Sequence, residues 1–172
     1  MNRREYPKRG SSRKEGFLVA DAVVTIQDDE LKALCSRLNG MALKPAERKA
    51  LLASIGEEII TQTKDRFAEK KTPDGDDWAD IAESTKNYYQ KKIGSKNPGN
   101  GILWRQGNLM DSLTQEASSW SVVVGATKVY AAVHQYGWKE KNIIARPYIG
   151  LSAENKVEII EIINAFLERR SA

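Results

Sequence analysis

An α+β domain is the fold class this sequence predicts: a small, mainly antiparallel sheet packed against a long central helix and a C-terminal helix. Three observations carry it. Residues 45–70 place apolar side chains at helical spacing, residues 113–126 read as the two arms of a hairpin, and a second helical apolar stripe follows Ser152. Strands and helices are therefore segregated along the chain rather than alternating as βα units, which is the α+β pattern.

The elements follow in order. "AVVTIQ", residues 22–27, is rich in β-branched residues and predicts a strand ended by Asp28-Asp29. Those aspartates cap a helix that carries Leu31, Leu34, Cys35 and Leu38 on one face, with Gly40 near its end. The strongest helix starts near Pro45 and runs to about Lys70, with Leu52, Ile55, Ile59 and Phe67 as its stripe, widened by Leu51, Ile60 and Thr63. Pro73-Asp74-Gly75 ends this segment as a turn: proline presets φ and glycine supplies the positive φ that closes the bend. Trp78 follows, placed to anchor the turn to the body.

Ser84 or Thr85 caps a short helix through Tyr88, Tyr89 and Lys92, and "GSKNPGNG", residues 94–101, is an exposed loop. Gly107 opens one helical turn that points Leu109 and Leu113 inward. The arms "LTQEAS" and "WSVVVGA" form the hairpin, the second more buried than the first. Residues 128–136 form a helix closed by Gly137, and 143–152 are extended up to Pro147, since the residue before a proline avoids the α region. Ser152 caps the last helix. Val157, Ile160, Ile163 and Leu167, with Ile159 and Phe166, give it an apolar face, and Arg169-Arg170 suit its C-terminal dipole.

At 172 residues, 41% hydrophobic and 29% charged, the chain fits one domain, residues 17–172, preceded by a basic arm, residues 1–16. The net charge of +4 belongs to that arm: Arg3, Arg4, Lys8, Arg9, Arg13 and Lys14 against Glu5 and Glu15 give 6 − 2 = +4, and the rest carries 21 bases and 21 acids. DNA contact through the arm is one reading. A solvating tail, or a start codon upstream of the true one, explains the same residues. Apolar runs such as Val122-Val123-Val124 fall far short of the roughly 20 residues that span a bilayer, so no membrane association is expected, and with no secretory signal visible the chain is expected in the cytoplasm. The single cysteine, Cys35, sits among leucines and reads as a small buried hydrophobe.

The chemistry-bearing patterns fail one by one. A zinc site takes about four nitrogen or sulfur ligands, or three and a water; one histidine and one cysteine do not supply them. A calcium loop starting at Asp74 wants glycine sixth and glutamate twelfth, where this chain has Ala79 and Thr85. The acids Asp74, Asp76, Asp77 and Asp80 fit a solvated turn leading into a helix. No phosphate-cradling loop or dinucleotide fingerprint occurs, and a nuclease trio of Asp74, Glu83 and Lys86 is no better than most exposed helices offer. His134, the sole histidine, shares a helix face with Tyr130 and Ala131 and reads as a packed or interface residue rather than a catalytic one. Neither a cofactor, a metal nor a catalytic residue is expected.

Taken as an ordered set, "RFAEKKTPDGDDW", a Thr85-containing helix, "ILWRQGNLMDSL", "VVVGATKVYAAVHQYG", "IARPYIGLS" and a closing helix resemble the phage virion morphogenesis family, which includes Mu G-like proteins and the tail-completion S proteins of contractile-tailed phages. The resemblance spans about residues 22–168. Its marks are Phe67, Pro73, Asp74, Gly75 and Trp78; Leu103, Gly107, Leu109, Ser112 and Leu113; Tyr130, Ala131, His134, Gln135 and Gly137; and Ala145, Arg146, Pro147 and Ser152. It implies a non-enzymatic virion component acting late in tail assembly and in joining tail to head. Its location would be the tail or neck of the virion, after assembly in the host cytoplasm. Its partners would be copies of itself, in a hexameric ring by the symmetry of tails, together with tail tube, terminator and neck proteins. A ring needs two different complementary faces. Trp78, Trp104, Trp120, Trp138, Tyr136, Tyr148, Arg105 and Arg146 are the stock from which such faces are built.

Overall fold

The computed structural model describes residues 43–93, 101–104 and 106–171, together with Ser36 and Gly40, both helical and exposed. The expected strand 22–27, most of the helix after it, the arm 1–16 and most of the loop 94–101 lie outside the described residues.

Helix α1, Pro45–Glu69, is the frame. Proline at its first position has no N–H to leave unsatisfied, and the backbone N–H of Lys44 donates to Glu47 Oε2 at 2.7 Å, which satisfies the N-terminal entry. The helix stops where Lys70 turns left-handed, φ 61° and ψ 40°, with its N–H donating to the carbonyl of Arg66 at 2.7 Å. Gly75 then adopts φ 89° and closes the Pro73 turn through a 3.0 Å bond from its N–H to the carbonyl of Thr72, as the sequence requires.

Helix α2, Glu83–Ile93, follows. The amides of Thr85 and Lys86 both donate to the carbonyl of Ala82, at 2.8 and 3.1 Å. Ser84 and Thr85 therefore lie inside the first turn and not at its cap, a one- to two-residue correction. A 3₁₀ turn, Met110–Ser112, leads into strand β1, Leu113–Ala117, which pairs antiparallel with β2, Val122–Ala126, in the register Leu113↔Ala126 to Ala117↔Val122. The second strand is the more buried, as expected. Two strands alone are marginal in water, so their stability comes from packing on α1. The approach is close: a Cβ on Gly56 would stand 2.7 Å from Val122 Cγ2.

Helix α3 is Ala131–Tyr136, shorter than the expected 128–136. Lys128–Tyr130 form a separate turn, closed by the Ala131 amide on the Lys128 carbonyl at 2.9 Å, and they leave Val129 93% exposed. Helix α4, Ala153–Ser171, is capped by Ser152, whose Oγ accepts from the Asn155 amide at 3.1 Å while its own amide donates to Asn155 Oδ1 at 3.0 Å. Its inward stripe is Asn155, Ile159 and Ile163, at i, i+4, i+8. Val157 was expected on that face; two residues from Asn155, it is turned to the opposite side and is 55% exposed.

Two apolar clusters result. Leu51, Ile55, Ile59 and Ile60 meet Val124 of the hairpin and Ile159 and Ile163 of α4, while Phe67 gathers Trp78, Ile102, Leu109, Ala126, Ala131, Tyr148 and Ile149. Leu113 packs against both. Gly137 ends α3 at φ 76° and ψ 173°, a region essentially reserved for glycine, and a Cβ there would lie 2.8 Å from Ala145 N and 2.9 Å from Ile143 O. Gly137→Ala is expected to destabilise the fold by about 2 kcal/mol or more, read as a lowered urea midpoint; an unchanged midpoint would show that the 137–145 turn relaxes freely.

Candidate functional site

Residues 146–149 pass through the interior without helix or strand, and with the exposed residues 144 and 145 before them they look to other parts of the chain for main-chain partners. Seven of these main-chain groups are taken up as follows. Gln135 reaches from α3 to accept from the amides of Tyr148 and Ile149, at 3.0 and 3.1 Å, and to donate to the Ile149 carbonyl at 2.9 Å. Arg66 of α1 donates to the Tyr148 carbonyl at 3.2 Å and also bonds Asn155 Oδ1. Trp78 Nε1 donates to the Pro147 carbonyl at 2.9 Å. The Arg146 amide donates to the His134 carbonyl at 2.7 Å, and its guanidinium donates to the carbonyls of Ala79, Asp80 and Ile144, at 2.7, 2.8 and 3.3 Å.

Tyr148 is the centre of this knot. Fully buried, it donates its hydroxyl to the Ala131 carbonyl at 3.2 Å, and its ring centroid lies 5.3 Å from Phe67, which in turn meets Trp78 edge-on at 5.4 Å. Burial, reinforced by Tyr136 and Tyr130 nearby, pushes the Tyr148 phenol far above its usual range, so it stays a neutral donor. Pro73 rests on Gly150, where an added Cβ would stand 2.5 Å from Pro73 Cγ. Gly107, at φ 76°, lets the chain turn into Leu109, itself buried beside Trp78 and Tyr148.

Of the expected site residues, Pro73, Trp78, Leu109, Arg146 and Pro147 are thus brought together around Tyr148, with Gly107 and Gly137 turning the chain at its edges. Asp74 and Gly75 stay outside, at the exposed turn. Trp78, Tyr148 and Arg146 point inward, and Arg105 lies outside the described residues. Sequence reasoning missed Arg66, Gln62 and Asn155, all buried polar side chains. Arg66 did carry a signal, since it lies within the Thr63–Phe67 stretch of the stripe.

The outer side of the knot is an aromatic surface. Tyr136 is 56% exposed, Ile144 56%, Trp138 39% and Tyr130 38%. Such side chains on a braced backbone are the material of protein contacts. His134 sits among them, its ring edge-on to Tyr130 at 5.8 Å. Its Nδ1 is buried and finds no hydrogen-bond partner among the described residues. Burial, and then the nearby Arg146 charge, hold it below the usual histidine value, which makes it neutral near pH 7. A second exposed aromatic, Trp120, stands 74% exposed at the hairpin tip with the Arg48 guanidinium 4.8 Å over its ring.

Among the described residues, no three His, Cys, Asp or Glu side chains gather as a metal site, and no helix is long and apolar enough to cross a membrane. Lys86, part of the nuclease trio, is engaged by Asp80 at 2.6 Å and Glu83 at 3.6 Å, with Asp74 away at the turn. What the arrangement offers is shape and apolar area.

The profile of the phage virion morphogenesis family matches residues 29–168. Tail completion protein S of Escherichia phage P2 is 28% identical over 151 residues, 82% of this chain and 99% of that protein. Capsid assembly protein G of Escherichia phage Mu, a provisional designation, is 28% identical over 122 residues, 67% of this chain and 76% of its own. Mu-like prophage FluMu G protein 2 of Haemophilus influenzae is 35% identical over 66 residues, 36% of this chain and 48% of that protein. No solved structure matches the chain.

Gln135→Ala leaves three buried main-chain groups without partners, so it is expected to cost about 3 kcal/mol or more in a urea titration. A second expectation concerns acid. Because the folded state lowers the affinity of His134 for a proton, its contribution to stability is complete above the unfolded value of about 6.5 and is lost as pH falls through the lower folded value. The melting temperature should therefore fall as pH drops below about 6.5, and His134→Gln should flatten that slope; an identical slope in the variant would remove His134 as its cause.

Proposed function

Because the chain belongs to the phage virion morphogenesis family, we propose that it is a non-enzymatic tail-completion component that joins tail to head, assembling as a ring of copies at the tail end. Its place is then the tail or neck of the particle, reached from the host cytoplasm during assembly, and its partners are further copies, the tail tube or terminator and the neck proteins. The observation that carries this reading is the exposed surface formed by Tyr130, Tyr136, Trp138 and Ile144 on the outside of a hydrogen-bonded knot. Such a surface supports binding because its backbone is already fixed, so little conformational entropy is lost on contact. The knot itself holds its polar groups in mutual bonds and leaves no nucleophile and base paired for chemistry.

Residues 1–16 hold the whole net charge of +4, and this favours a second reading in which the arm touches DNA where the genome enters the tail. Deleting the arm would then abolish a steep salt dependence of DNA retention.

In a phage deleted for its own copy of this gene, supplying the chain is expected to restore joined particles in electron micrographs. Trp138→Ala is expected to reduce joining at least about tenfold, the loss typical of truncating an aromatic anchor, with an unchanged melting curve. Normal infectious progeny made without the chain would overturn the reading.

A further inference from the structure

A groove of about 440 Å³ runs between the N-terminal half of α1 and the C-terminal half of α4. Glu47, Ala50, Leu51 and Ser54 line it from α1. Leu51, with Ile162 and Phe166 of α4, gives it an apolar floor, and Ala50 and Ser54 stand exposed at its mouth. Its charged rim is occupied within the chain, since Arg170 pairs with Glu47 at 2.9 Å and Arg169 Nε donates to the Ala165 carbonyl at 3.1 Å. What remains to be covered is apolar area.

The chain brings a matching stripe to this place. Leu31, Leu34, Cys35 and Leu38 recur at helical spacing. Ser36 and Gly40, both helical and exposed, lie about half a turn around from that stripe at about 100° per residue. The face on which this stretch meets water is therefore the one opposite its leucines. The family profile begins at residue 29, so the stretch belongs with the domain and not with the basic arm. Four residues, 41–44, separate Gly40 from Pro45, and Leu43 among them is buried. So short a link joins helices that lie antiparallel, side by side.

The register of such a pair is set by the link. In equal steps outward from its midpoint, between Ala42 and Leu43, Leu38 falls opposite Glu47, Cys35 opposite Ala50, Leu34 opposite Leu51 and Leu31 opposite Ser54. The positions of the stripe thus coincide with the positions at which α1 lines the groove.

We propose that residues 30–40 of this chain seat on the α1–α4 groove as its cover, with Leu34 on the apolar floor and Cys35 facing Ala50. The occupant is intramolecular, so the groove is withdrawn from the surfaces open to partners.

Cys35, the single cysteine, is the probe. Ala50→Cys is made in the full-length chain, checked for unchanged melting and oxidised at low concentration. Two cysteines join only where their Cα atoms come within about 7 Å. Both thiols are therefore expected to disappear within one chain, read as a monomer on a non-reducing gel that no longer takes up a maleimide. Val129→Cys, at a 93% exposed position in the turn before α3, is the control and is expected to keep both thiols. Without oxidation, Cys35 of the wild type is expected to react with the maleimide at least about tenfold more slowly than Cys35 in Leu34→Asp, which unseats the stripe. Free thiols in oxidised Ala50→Cys would overturn the proposal. Disulfide-linked dimers in place of the monomer would overturn it too and give the groove to a second copy. Equally ready closure by Val129→Cys, or labelling of the wild type as fast as Leu34→Asp, would overturn it by showing a stretch that keeps no fixed seat.

Discussion

The constraint on which this molecule turns is the cost of burying unpaired main chain. An irregular segment through a protein interior has no ladder or helix to absorb its N–H and C=O groups, and each one left alone costs about 1–3 kcal/mol. Here Gln135, Arg66 and Trp78, from different parts of the chain, converge on residues 147–149 and take up their main-chain groups, while Arg146 reaches back to the carbonyl of Ile144. Pro147 helps by having no N–H to satisfy. Once this is met, the positions of α3, the Pro73 turn and the end of α1 relative to one another are fixed.

That constraint also explains why the marks of the family resemblance do not map onto a reactive centre. Pro73, Trp78, Gly107, Leu109, Gly137 and Arg146 are marks of the family resemblance. In the structure they supply donors, a close approach, apolar packing and positive φ to the framework around Tyr148. The residues that face outward from the same framework, Tyr136, Trp138 and Ile144, are left exposed. Signature and surface overlap at Tyr130 and His134, which stand at the edge between framework and exterior.

Much of the architecture was legible in the residues. The stripe from Leu51 to Phe67, the Pro73-Asp74-Gly75 turn, the Ser152 cap, the Gly137 stop and the greater burial of the second hairpin arm all stand where periodicity and turn chemistry put them. What was not legible were polar residues doing interior work. Arg66, Gln62 and Asn155 look like surface side chains on any hydropathy scale, and only their partners, residues 82 to 96 positions away, reveal otherwise. Val157 failed for the reverse reason: an apolar residue is counted with the stripe until the helix is rotated into place and shows it on the opposite side. The α1–α4 groove was invisible as well, since it is made by the meeting of two helix ends.

The direction of the bonds in the knot has an evolutionary corollary. Most of its donors are side chains, whereas most of its acceptors are peptide carbonyls, which every amino acid possesses. Drift at Ala79, Asp80, Ile144 and Ile149 leaves the acceptors intact, while Gln135, Arg146 and Trp78 have no equivalent replacement. Substitution across the exterior therefore leaves the knot intact, whereas a change at any of those few donor positions opens it.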